Sequence, residues 1–108
     1  MSQNKIQYLE DLIAEDGRDA FPYFALAKEY EKIGEKEKAS FNYKKLISTF
    51  PSYSGTYYHY AQFLITNEKT DLAKDIITTG LEVLKSQKEN HLYNELSGLY
   101  LQFFEEDI

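Results

Sequence analysis

Residues 20–51 read AFPYFALAKEYEKIGEKEKASFNYKKLISTFP, and the order of bulky and small side chains in this stretch decides the fold. Tyr23, Leu26, Ala27 and Tyr30 recur at the spacing of one helical face, and Gly34 interrupts them. Ala39, Tyr43, Leu46, Ile47 and Phe50 then resume the pattern as far as Pro51. Proline has no amide donor and disfavours helical geometry in the residue before it, so the chain must turn there. Much of the set returns as Tyr57, Tyr60, Ala61, Leu64, Ala73 and Ile77. Tyr23 and Tyr57, Ala27 and Ala61, and Ala39 and Ala73 are each 34 positions apart. Two segments that keep one bulky-small-bulky order at a fixed interval read as copies of one unit, each covering apolar surface its neighbour cannot bury alone.

The flanks follow the same grammar. Ile6, Leu9, Leu12 and Ile13 form one apolar stripe over residues 4–14, and Gly17 is suited to the left-handed conformation that stops a helix. Asp19 is placed to cap the next helix, read as Ala20 to Ile33, with Pro22 tolerated in its first turn. Glu37 to Phe50 is the third helix, and the fourth begins near Tyr57. Asp71 to Gln87 is the fifth, capped by Thr70 or Asp71 and carrying Leu72, Ala73, Ile76, Ile77, Leu81 and Leu84. Asn90 caps the last, about His91 to Glu105. The domain expectation is a single domain over 1–108: a half-repeat helix at 4–14, repeats at 20–53 and 54–87, and a closing helix at 90–105.

A chain of 108 residues with 43% hydrophobic and 16% aromatic content is globular in composition, and its aromatics are Tyr and Phe without Trp. Without cysteine it has no disulfides or thiolate zinc sites, and a reducing cytoplasm is the simplest expectation. No apolar run suggests a secretory leader or a membrane span. Eighteen acidic against twelve basic residues, a net charge of −6, oppose binding to nucleic acid or to an anionic membrane. Lys32, Lys36, Lys38, Lys44 and Lys45 are interleaved with Glu31, Glu35 and Glu37, and read as a solvated, ion-paired helix face.

At Tyr23, Leu26, Ala27, Tyr30, Ala39, Tyr43 and Pro51 the chain resembles the tetratricopeptide repeat family, which prefers those residue types in that order. Leu46 stands where the family prefers alanine. In the second copy the match is looser, with Lys85 where proline is preferred. The resemblance implies an all-α fold, a right-handed α-solenoid of antiparallel helix pairs with about six helices. It also implies a protein–protein interaction scaffold whose first helices line a concave groove for a peptide or partner helix. By position, that groove would present Phe24, Lys28 and Glu31, then Tyr58, His59 and Gln62, then His91, Asn94 and Glu95. Chaperone-tail adaptors of the family clamp a terminal carboxylate with a set of Lys, Asn and Arg side chains; the matching positions here, Phe24, Lys28, His59, His91 and Glu95, lack that set and place an acid where a cation is wanted.

The closing helix carries a second candidate surface. Leu92, Leu99, Leu101, Phe103 and Phe104 exceed what an inward stripe of Tyr93, Leu96 and Tyr100 requires, and mark an oligomer contact, as in a homodimer. Catalysis is not expected. His59 and His91 have no companion at metal-ligand spacing, the glycines form no phosphate loop, and no convergent nucleophile, base, metal or cofactor set is evident.

Overall fold

The computed structural model describes residues 2–105, and these form six helices: α1 (Ser2–Glu15), α2 (Ala20–Lys32), α3 (Lys36–Thr49), α4 (Thr56–Thr66), α5 (Thr70–Ser86) and α6 (Asn90–Phe104). They fall into two compact units divided between Tyr53 and Ser54. In the first unit α2 packs against both α1 and α3; in the second α5 packs against α4 and α6, and α4 also touches α6.

The small residues of the repeated pattern lie where helices crowd. Ala27, Ala39, Ala61 and Ala73 are each 0% exposed, and the bulky residues that keep step with them, Tyr23, Tyr43, Tyr57 and Ile77, are buried as well. A short side chain lets two helix backbones come together while tyrosine and leucine fill the space alongside. The tightest such place is Gly80 in α5: a β-carbon there would stand 2.7 Å from Cβ and Cγ of Tyr57 and 2.8 Å from Cδ2 of Leu96. α5 has 17 residues against 14 in α3, but a shorter turn follows it, so α6 begins at Asn90, 34 positions after α4 begins at Thr56.

Three of the turns share one device. After α2, the Glu35 amide bonds to the Tyr30 carbonyl at 2.9 Å and the Gly34 amide to that of Glu31 at 3.2 Å, with Gly34 at φ 81°. After α4, Lys69 bonds back to Leu64 and Glu68 to Ile65; after α5, Glu89 bonds back to Leu84 and Lys88 to Lys85. These paired bonds satisfy the last carbonyls of each helix and need a left-handed residue just past its end. Only the first turn spends a glycine on it. Glu68 at φ 62° and Lys88 at φ 60° adopt the same conformation with a β-carbon in place.

Several local expectations change. Asp19 caps α2 as read, its carboxylate accepting from the Phe21 amide at 3.2 Å. Thr70 and Asn90, however, are the first residues of α5 and α6; the caps are Lys69 and Glu89, whose side chains make no capping bond. Gly17 is outside the left-handed region. α1 closes instead on an Asp16 amide bond to the Leu12 carbonyl, and the Tyr23 hydroxyl donates to the Gly17 carbonyl. Leu72 at the start of α5 is exposed, whereas Phe63 in α4 is buried.

The close approach at Gly80 and the left-handed turn at Lys88 predict opposite responses. Gly80→Ala should lower unfolding free energy by about 1–3 kcal/mol through overpacking. Lys88→Gly should raise it by about 1 kcal/mol by removing the left-handed penalty. Urea unfolding followed by circular dichroism measures both.

Candidate functional site

The side chains of the expected binding face lie on α2, α4 and α6. On α2, Phe24, Lys28 and Glu31 are half-buried along one side of the helix. The Phe24 ring lies 5.8 Å from that of Tyr53, and the Lys28 ammonium lies 3.8 Å from Glu31 Oε1. That same carboxylate oxygen accepts the Tyr43 hydroxyl at 2.7 Å, tying α2 to α3. Burial, together with the Glu31 bond and charge, pushes the Tyr43 phenol well above its ordinary range. Glu31 therefore serves the fold as well as the surface.

In the second unit, Tyr58 and His59 stand side by side on α4, their rings 5.6 Å apart and nearly perpendicular, and the Gln62 amide donates to the Tyr58 hydroxyl at 3.2 Å. On α6, His91 Nε2 lies 3.3 Å from Glu95 Oε2, one turn on, with Asn94 exposed beside them. Glu95 is thus a companion to His91 at i+4, where the sequence expectation had none. A two-donor pair is no metal site, and among the described residues no cluster of three or more His, Cys, Asp or Glu could hold an ion. Tyr58 with Gln62 and His91 with Glu95 form pairs within single helices of one unit, α4 and α6.

The apolar excess of α6 is smaller than the residue types suggest. Leu99 is 5% exposed and belongs to the core with Leu96, so it is withdrawn from the oligomer-contact set. The inward stripe runs through Leu96 and Leu99, and Tyr93 and Tyr100 flank it half-buried. Leu92 is half-buried, and so is Phe104, whose ring lies 5.5 Å from that of Tyr100. Leu101 and Phe103 remain in water at 49% and 48% exposure.

Sequence reading missed two features of the first unit. Glu29 is buried, with one carboxylate oxygen 3.4 Å from the Lys5 ammonium of α1 and 3.5 Å from that of Lys32, and the other without a hydrogen-bond partner. Its position three after Leu26 and seven after Pro22, both buried, was the available signal. The second feature concerns the lysine-rich face. Lys38 and Lys45 lie over the rings of Tyr30 and Tyr23, at 5.6 and 5.9 Å, close enough for cation–π attraction. The expected ion-paired face is, at these two positions, a lysine–aromatic one.

Burial opposes ionisation of Glu29, but the hydrogen bonds and charges of Lys5 and Lys32 outweigh it and hold the carboxyl below its ordinary value of 4.5. A depressed carboxyl contributes stability above that ordinary value, and the contribution is lost as pH falls through the lowered one. Between about pH 6 and about pH 3 the wild-type chain should therefore lose more stability than Glu29→Gln, as urea midpoints would record.

No protein-family model and no curated protein matches the chain. Solved structures do. The crystal structure of a tetratricopeptide repeat domain protein from Salinibacter ruber is 32% identical, with a TM-score of 0.73 over 78% of this chain and 93% of that one. A solution structure of a tetratricopeptide repeat domain protein from the same organism is likewise 32% identical, with a TM-score of 0.76 over 81% of this chain and 88% of that one.

Proposed function

Because the chain belongs to the tetratricopeptide repeat family, with its all-helical α-solenoid fold class, we propose that it is a non-catalytic scaffold that binds a segment of another protein. The proposed contact residues are Phe24, Lys28 and Glu31 on α2 of one unit, and Tyr58, His59, Gln62, His91, Asn94 and Glu95 on α4 and α6 of the other. What carries this reading is the second set. Gln62 bonds to Tyr58 and His91 lies beside Glu95, each along its own helix, and these pairs contribute no polar tie to the core, leaving aromatic and polar groups suited to a peptide. Tyrosine supplies wide contact area with few rotors to freeze, and the neighbouring amide and carboxylate supply direction. No helix among the described residues is long and apolar enough to cross a membrane. The same reading puts the chain in the cytoplasm, with a protein as its ligand.

The test is capture from extract of the source cells on immobilised chain. Protein retained by the wild type should be lost from a Tyr58→Ala/His59→Ala variant of unchanged helicity. Retention of the same protein by that variant would remove the α4 face from the account.

A second reading rests on Leu101 and Phe103, two large apolar side chains left in water near the end of α6. Here the chain is a structural subunit that pairs with a second copy through this helix. Sedimentation at high micromolar concentration should then report a dimer that Leu101→Ser/Phe103→Ser converts to monomer. A wild-type monomer under those conditions would end this reading.

A further inference from the structure

A cleft of about 580 Å³ opens in the first unit among α1, α2 and α3, within the size range of ligand sites in proteins. It is separate from the face described above. Its lining includes Leu26 and Tyr30, whereas Phe24, Lys28 and Glu31 lie on another side of α2, turned by roughly 150° at 100° per residue. Ile13 of α1 lines one wall. Phe41 of α3 lines the other and is 68% exposed, because the core face of α3 is taken by Ala39, Tyr43 and Leu46. The lining is largely apolar, and its charged members are Glu10, Glu37 and Lys38.

Those charges say what kind of group the cleft accepts. Glu10 Oε2 takes the Tyr30 hydroxyl at 2.7 Å, leaving its second oxygen for another donor. Burial, the Glu10 bond and the charges of Glu10 and Glu35 together push the Tyr30 phenol up to about 12. The part of that shift owed to the charges of Glu10 and Glu35 is a negative field that favours a cation at the same place, whereas burial opposes any charge. The Lys38 ammonium already rests 5.6 Å above the Tyr30 ring, so the acceptors left for a ligand's cation are the carboxylates of Glu10 and Glu37. Carboxylates in the lining suit a lysine or arginine, and the exposed Phe41 with the half-buried Ile13 suits an apolar side chain next to it.

We propose that this cleft is a second docking surface, and that it takes a partner-protein segment in which an apolar residue adjoins a lysine or arginine. The apolar side chain lies between Ile13 and Phe41, and the cation is taken by the second oxygen of Glu10 and by Glu37, the Tyr30 ring being covered by Lys38 already. The surface operates independently of the α4 and α6 contacts.

The probe is an amidated hexapeptide of alternating leucine and lysine, titrated into ¹⁵N-labelled full-length chain at low salt, with its leucine–glutamate counterpart as the paired control. Amide shifts should move around Ile13, Tyr30 and Phe41 with the lysine peptide alone. Affinity should fall at least about fivefold in Glu10→Gln/Glu37→Gln, and likewise in Phe41→Ser. Glutamine can still accept the Tyr30 hydroxyl, and Phe41 is outside the core, so both variants keep the fold. Tyr58→Ala/His59→Ala should bind as the wild type does. Equal binding of the two peptides, full affinity in Phe41→Ser or in the glutamine variant, shifts confined to α4 and α6, or no shifts at all would each overturn the proposal.

Discussion

Close approach of helix backbones at a few very small residues is the constraint on which the rest of this structure depends. Ala27 and Ala39 in the first unit, and Ala61, Ala73 and Gly80 in the second, have no accessible side-chain surface or no room for one. Interiors are packed to crystal-like density, so a large residue at such a place must push a helix aside. The tyrosines and leucines at fixed offsets are then the only shapes that fill what the small residues leave. That division of labour makes the spacing of a few alanines more informative than the overall hydrophobicity.

Burying so many tyrosines creates a second requirement, since each brings a hydroxyl into the packed region. In the first unit carboxylates meet it: Glu10 accepts from Tyr30, and Glu31 accepts from Tyr43. Each bond joins two helices, so the acidic residues stitch α1 to α2 and α2 to α3. Glu29 does so differently, as a buried anion with Lys5 of one helix and Lys32 of its own. Part of the chain's acidic excess is thereby structural. The carboxylate beside Tyr30 also gives the neighbouring cleft its preference for a cation.

The helices and their boundaries were readable because period, glycine and proline act locally. Gly34 and Pro51 end helices for reasons contained in their own backbones, and the 34-residue offset locates the buried alanines directly. Cap positions were less readable. Thr70 and Asn90 are good capping types, yet the left-handed residues Glu68 and Lys88 set where the next helix begins and leave the capping position to Lys69 and Glu89. Leu99 was misassigned because α6 is apolar on more than one side, and only packing decides which side turns inward. The candidate face on α4 and α6 could be named from residue types, but the pairing of His91 with Glu95 depends on rotamers. The cleft beside Tyr30 was invisible, because it arises from where α1 and α3 lie against α2.

Native-state amide hydrogen exchange tests the central claim most directly. If tight crossings at small residues hold each unit together, the slowest amides of the first unit should be those around Ala27 and Ala39. Those of the second should surround Ala61 and Ala73, with opening free energies near that of global unfolding. Exchange at those four alanines as fast as at the helix ends near Glu15 and Phe104 would contradict it.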